Sequence, residues 1–214
     1  MTAGLLRGIV LILRMCNVSN GVRVARIRNR VLNSTPIRRL SQKKSCLKNF
    51  EDKKSIFTSI EPSRMTIITP SQWLADLVKQ SFLKLYDVEV RHNTVDKNIF
   101  KPTPSDFKER YGVGDRFMIL GAASPWSPRK GLDVFCRLAE TLDNSRYVTV
   151  LAGITPKQAR KLPEEVIWLE RTESKEELVE IYSAADLFFN PTAEDNFPTV
   201  NLEAEACGTP VLTF

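Results

Sequence analysis

The segment from Ala185 to Phe214 constrains the fold of this chain more than any other stretch. Ala185-Asp186-Leu187-Phe188-Phe189-Asn190 is a short apolar run ending at Pro191, which cannot donate to a sheet ladder, so a buried strand is expected to stop near Asn190. Val200 to Cys207 then carries good helix formers. Gly208 and Pro210 supply a stop signal before a new apolar run, Val211 to Phe214. The order is strand, loop, helix, strand.

The same order recurs upstream. Phe117 to Ala123 reads as a buried strand, followed by a Ser/Pro-rich loop around Trp126 and a helix opened by Arg129-Lys130-Gly131, with Leu132, Phe135, Leu138, Ala139 and Leu142 on its inner face. Tyr147 to Ala152 reads as a strand, residues 155–162 as a polar helix, and Val166 to Leu169 as another strand. Ser174-Lys175-Glu176-Glu177 is a capping-box sequence leading into Leu178, Ile181, Tyr182 and Ala185. Such alternation predicts a parallel α/β sheet covered on both faces by helices, not a sandwich or a bundle. Nearer the N-terminus, Met65 to Thr69 reads as a strand and Trp73 to Leu83 as an amphipathic helix with Leu74, Leu77, Val78 and Phe82 inward. Val88-Glu89-Val90 reads as the next strand. These form the βαβ end of a first domain, and Asn98 to Asp106, with Pro102 and Pro104, reads as the crossover into a second.

Two acids frame the loop after Asn190. A helix starting near Pro198 leaves its first N–H groups unpaired, and these together with the helix dipole attract an anion such as a phosphate. Glu203, about one and a half turns further on, could accept hydrogen bonds from a ribose diol, and Asp195 lies in the loop where a sugar hydroxyl could reach. A capping Asp and a solvated helix Glu would leave the same trace. Lys130 sits at the mouth of a strand-loop-helix turn, and in an open parallel sheet it would face the same side as the acids. Such a cation stabilises a diphosphate as a leaving group. A pair of surface charges beside a turn is the plainer reading of Arg129 and Lys130.

Three ordered stretches carry a resemblance: Asp195 to Phe214; Ser124-Pro125-Trp126-Ser127-Pro128-Arg129-Lys130-Gly131; and Ser71-Gln72-Trp73-Leu74 through Arg91-His92-Asn93-Thr94-Val95-Asp96 to Phe100-Lys101-Pro102. Together they resemble the retaining, nucleotide-sugar-dependent glycosyltransferases with two Rossmann-like domains, most of all the bacterial branch that builds capsular, exopolysaccharide and lipopolysaccharide chains. The resemblance runs from about Asn49 to Phe214. It implies a GT-B type second domain, incomplete, with a parallel Rossmann-like sheet over residues 98–214, preceded by a βαβ remnant of the acceptor-side domain over residues 49–97. It places the family's paired acids on Asp195 and Glu203, the first contacting the donor sugar and the second holding the ribose. It places the phosphate-binding Lys on Lys130. Asn196, Phe197, Pro198, Thr199 and Val200 match the turn over the diphosphate and sugar, with Pro198 able to offer only its carbonyl. Arg171 and Thr172 fall in a loop where the resemblance allows contact with the nucleotide, and Gly153 ends its strand where the backbone could approach a nucleotide, although a turn is the plainer reading. Many relatives carry an Arg a few residues before the Lys, whereas this loop has Pro125 and Trp126, with only the adjacent Arg129 as a candidate substitute.

The resemblance further implies a UDP- or GDP-linked sugar as donor and a glycan or lipid-linked acceptor, with no cofactor and no metal. No His/Cys/Asp cluster suggests a metal site in the sequence, and His92, the chain's one histidine, reads as a structural side chain. The expected location is cytoplasmic, with peripheral association at the inner face of the membrane left open. Relatives continue past Phe214 with a Gly-rich loop and closing helices, so the expected chain is a donor-binding half, truncated at both ends, whose activity alone is open.

Charge divides the chain. Of 31 Lys and Arg, 11 lie in residues 1–50, where there is no Asp or Glu, while the remainder carries all 25 acids. A targeting peptide, a polybasic arm for anionic lipid or nucleic acid, and a segment foreign to the native protein all fit this pattern. The third fits best, because the resemblance fades near Lys48, and residues 1–48 are expected to be disordered. Residues 4–14 are too short and too charged for a spanning helix. Cys16, Cys46, Cys136 and Cys207 lack zinc or redox spacing and read as reduced thiols. Two rivals remain. A nicotinamide-binding protein would share the α/β pattern but needs a G-x-G-x-x-G after a strand, which is missing here. A nucleic-acid binder would depend on the basic arm, and no nucleic acid is expected as a partner.

Overall fold

The computed structural model describes residues 36–193 and 195–213, with side chains from Leu47 onward. The chain divides into two compact units between His92 and Asn93. In the first, α1 (Pro36–Phe57) precedes a single 3-10 turn, Pro62–Arg64. β1 (Thr66–Thr69), α2 (Gln72–Lys79) and β2 (Asp87–Val90) follow, and the two strands pair in parallel. Val78, Leu83 and Tyr86 form the core of this unit, and Phe50 on α1 meets Phe82 edge-on at 5.4 Å. The Tyr86 hydroxyl lies 2.8 and 2.7 Å from the carbonyl oxygens of Phe57 and Ile60, which fixes the end of α1.

Residues 36–48, part of the stretch expected to be disordered, belong to the continuous helix Pro36–Phe57. Pro36 suits a first turn, and the Arg, Leu, Gln and Lys residues that follow are strong helix formers. Residues 1–35, including Cys16, lie outside the described residues. α2 is shorter than the predicted Trp73–Leu83. Ser81 ends it: its hydroxyl donates to the Val78 carbonyl at 2.7 Å and accepts from the Leu83 N–H at 3.0 Å, replacing helix bonds with a local turn.

The second unit begins with an irregular crossover that is anchored by Phe100, buried against the second core, and by the Thr103 N–H on Ser183 Oγ at 3.1 Å. Then come α3 (Phe107–Arg110), β3 (Phe117–Ala122), α4 (Leu132–Thr141), β4 (Tyr147–Ala152), α5 (Pro156–Ala159), β5 (Ile167–Leu169), α6 (Lys175–Ala184), β6 (Leu187–Asn190), α7 (Thr199–Ala206) and β7 (Val211–Thr213). All five strands run parallel in the order β5-β4-β3-β6-β7. Alternate residues bury opposite ways: Met118, Leu120, Val148, Val150 and Phe188 join one core, while Ile119, Leu151 and Phe189 join the other with Phe135 and Ala139 of α4. A sheet apolar on both faces needs helices on both, as the alternation predicted. The Asp186 carboxylate accepts from the Met118 N–H at 2.7 Å and from Lys108 Nζ at 2.6 Å, tying α3 to the roots of β3 and β6.

α5 covers only Pro156–Ala159, not residues 155–162. Thr155 and Gln158 cap it reciprocally, and the next N–H groups tighten to i−3 carbonyls because Pro163 disfavours a helical Leu162. At α6, Ser174 Oγ accepts from the Glu177 N–H at 3.1 Å, while the Glu177 carboxylate reaches back to the N–H of Glu173 at 2.8 Å. Among the described residues, no helix is long and apolar enough to cross a membrane.

Candidate functional site

The strand order of the second unit reverses between β3 and β6, since the chain runs outward from β3 through β4 to β5 and then returns to β6 on the other side. In open parallel sheets ligands bind beyond the carboxyl ends of the strands at such a switch point, which here is framed by the loops that leave β3 and β6. The loop after β3 descends through Trp126, whose buried indole donates to the Ala152 carbonyl at 2.8 Å, into a 3-10 turn over Pro128–Lys130. Gly131 follows in the left-handed region at φ 75° and opens α4. A Cβ there would lie 2.7 Å from the Pro191 carbonyl oxygen, so glycine is what lets the β3 and β6 loops touch. One backbone and one side-chain hydrogen bond close this contact: the Arg129 carbonyl accepts from the Ala193 N–H at 3.0 Å and from the Thr192 hydroxyl at 3.3 Å.

With the loops joined, Lys130 Nζ reaches Asp195 Oδ2 at 2.6 Å, and the two side chains are 22% and 19% exposed. Asp195 Oδ1 also accepts from the Asn196 N–H at 2.8 Å. Lys130 and Asp195, read from the sequence as separate contacts, are thus one ion pair at the switch point. The turn that follows is held from the crossover, where Asn93 Nδ2 donates to the Phe197 carbonyl at 2.7 Å. Pro198 is the N-cap of α7, not a residue of its first turn, and no side chain caps this end. Thr199 and Val200 are the first helical residues, so their N–H groups have no acceptor within the helix. Within the first turn, Asn201 Oδ1 accepts from Asn190 Nδ2 at 2.8 Å and docks α7 on the end of β6.

Glu203 sits deeper on α7. Its Oε2 accepts from the hydroxyl of Tyr182 on α6 at 3.1 Å. Burial pushes the Glu203 carboxyl above the ordinary range, against the opposing pull of the Tyr182 hydrogen bond and of Lys175. The protonated acid therefore stabilises the fold, a contribution fully present below the unfolded carboxyl value and lost as pH rises through the raised folded value. Glu203→Gln keeps an acceptor for Tyr182 and cannot ionise. Thermal melts are expected to show it a few degrees more stable than the parent at pH 8 and nearly equal at pH 4; equal shifts at both pH values would refute this account.

The other predicted residues are less tightly gathered. The Arg129 side chain is exposed, and its carbonyl is the part that builds the loop. Gly153, at φ 87°, packs where a Cβ would collide with the Ala123 carbonyl oxygen, and its N–H lies 3.1 Å from both the Leu169 and Glu170 carbonyls. Arg171 and Thr172 leave β5, two strands away from β3. The departure at Trp126 acquires a physical meaning: the indole is a buried support for the loop and supplies no second cation. Among the described residues, no group of three or more His, Cys, Asp or Glu side chains could hold a metal ion.

Asn93 and Tyr182 escaped sequence reasoning as site components. Asn93 lies 104 residues from its partner and Tyr182 lies 21 residues from Glu203, and neither belongs to a local pattern that names the contact.

Residues 106–214 match the family described as glycosyl transferases group 1. The chain belongs to this family. Proteins similar to it include the alpha-galactosylglucosyldiacylglycerol synthase of Streptococcus pneumoniae, 26% identical over 75% of this chain and 46% of that protein. Two solved structures share the fold. HepE of Anabaena in complex with UDP and glucose has a TM-score of 0.55 at 24% identity, over 69% of this chain and 44% of its own. WaaG, a glycosyltransferase involved in lipopolysaccharide biosynthesis, has a TM-score of 0.54 at 21% identity, over 69% of this chain and 43% of its own. The chain spans less than half the length of each of these relatives. Its parallel sheet flanked by helices has the second-domain architecture of the GT-B fold.

Proposed function

We propose that residues 98–214 are the donor-binding domain of a glycosyltransferase that moves a sugar from a nucleoside diphosphate to a glycan or lipid-linked acceptor, with retention, in polysaccharide or glycolipid assembly. The observation that carries this reading is the Lys130–Asp195 pair, 2.6 Å apart at the switch point and beside the uncapped start of α7. A nucleotide sugar offers the matching chemistry: a diphosphate for the Lys130 ammonium and the α7 N–H groups, sugar hydroxyls for Asp195, and a ribose diol for Glu203.

The mechanism is positioning and leaving-group stabilisation. Lys130 and the α7 terminus meet the charge that develops on the diphosphate as the glycosidic bond breaks, while Asp195 orients the sugar. No metal enters this scheme. Asn196 and Phe197 shape the turn over the sugar, and Gly153, Arg171 and Thr172 line the approach to the nucleotide. Residues 49–97 are proposed to belong to the acceptor-side domain. The diacylglycerol glycolipid named for the pneumococcal relative and the lipopolysaccharide role named for WaaG support a lipid-linked acceptor, met at the cytoplasmic face of a membrane.

Calorimetry of UDP, GDP and NAD against the 214-residue chain tests the reading. One of the two nucleoside diphosphates is expected to bind, and NAD is not. Binding of NAD alone, or of none of the three, would overturn it.

A further inference from the structure

Tyr182 is among the largest side chains in the fold that are wholly withdrawn from solvent, at 0% exposure. Its ring meets Phe188 of β6 edge-on at 5.4 Å, and its carbonyl accepts from Thr209 Oγ1 at 2.5 Å and from the Ala185 N–H at 3.0 Å. Ring and backbone are therefore locked to the sheet and to the chain entering β7. Packing of this kind is satisfied equally by phenylalanine. The hydroxyl is the part that packing does not explain, and it ends on Glu203 Oε2.

We propose that Tyr182 is a positioning residue for nucleotide recognition, its hydroxyl holding one carboxylate oxygen of Glu203 so that the other accepts from the ribose diol. This rests on the reading of Glu203 as the ribose acceptor. A two-carbon side chain on a helix has several rotamers, and a hydrogen bond from an immobile ring selects one of them. With Tyr182 donating to one oxygen, a neutral acid would carry its proton on the other and turn a donor toward the diol, whereas the carboxylate offers lone pairs only, so the ionised form is the better acceptor. The groups facing Glu203 divide on this point. Burial favours the neutral acid, Cys207 on its own helix carries no charge as a thiol, and Tyr182 and Lys175 from α6 favour the carboxylate. Tyr182 itself stays protonated, since burial and the Glu203 charge push its hydroxyl far above the ordinary range.

The test is calorimetry of UDP, GDP and their 2′,3′-dideoxy analogues against the full chain between pH 5.5 and 8.5, in the parent, Tyr182→Phe, Glu203→Gln and the double variant. The parent is expected to prefer the diol, and to lose that preference on acidification. Tyr182→Phe should weaken diol-nucleotide binding by roughly tenfold, spare the dideoxy analogues, and move the acid limb to higher pH. The double variant should be no weaker than Glu203→Gln. A Glu203→Gln protein that still prefers the diol as the parent does would sink the ribose reading itself. Loss of the preference in Glu203→Gln, with Tyr182→Phe matching the parent in preference and pH limb, would overturn the positioning role alone. Should Tyr182→Phe fail to fold, 3-fluorotyrosine at position 182 keeps the ring and strengthens donation, and the acid limb is then expected at lower pH. An unmoved limb would count against the proposal.

Discussion

Lys130→Ala is expected to weaken binding of UDP or GDP by about 10- to 100-fold, the range for losing a charge-assisted hydrogen bond to a phosphate. The loss should shrink to near nothing for the bare nucleoside, which has no phosphate to meet the ammonium. The ion pair makes a second, opposite expectation. Asp195 Oδ2 occupies Lys130 Nζ at 2.6 Å, so an incoming diphosphate competes with a carboxylate for the same cation. Asp195→Asn removes that competitor. Its affinity for a bare nucleoside diphosphate should rise roughly two- to fivefold, on the scale of a partly exposed ion pair. Its extra affinity for the nucleotide sugar over the diphosphate should disappear, because the sugar's acceptor is gone. Calorimetry with UDP and UDP-glucose, or the GDP equivalents, reads both effects. Equal weakening of diphosphate binding by the two substitutions would show that the pair serves the fold and not the ligand.

Gly153→Ala is expected to be the most destabilising single-methyl substitution among the sheet-end glycines. Its φ of 87° costs an L side chain about 1–2 kcal/mol. Its Cβ would drive into the Ala123 carbonyl, which is backbone and cannot swing aside. Overpacking of that kind adds about 1–3 kcal/mol, a total near 2–5 kcal/mol, which is a large fraction of a domain's stability. Gly112→Ala is the control. Gly112 has a φ of 63° but nothing within 4 Å of an added Cβ, so it should lose only the conformational part, about 1–2 kcal/mol. Urea melts of both variants separate the contributions. Coincident midpoints would mean that the close approach of β4's end to Ala123 is not what demands glycine.

The strands and helices of the second unit were legible because each is a local pattern. Apolar runs such as Phe188-Phe189 mark buried strands by composition, and Ser174 with Glu177 marks the start of α6 by spacing. Boundaries were less legible where a side chain intervened. Ser81 closed α2 early by bonding its own turn, and Pro163 shortened α5 from outside. In the basic segment the resemblance fades near Lys48 and offers no pattern to read, whereas Lys, Arg and Gln are helix formers and Pro36–Phe57 is one helix. Of the candidate site, Lys130, Asp195 and Glu203 were visible by type and spacing, and the resemblance assigned them roles.

By itself the sequence determined a parallel α/β sheet with helices on both faces and the chemistry gathered on the loops after two of its strands. Hydrophobic periodicity is a property of neighbouring residues, so no tertiary information was needed for that. Only the tertiary structure decided that β3 lies beside β6, which brings Lys130 to Asp195 across 65 residues, seats Gly131 on Pro191 and leaves Tyr182 holding Glu203. Strand order follows from which apolar faces can be buried together over the whole unit, and local spacing along one chain segment carries no record of it.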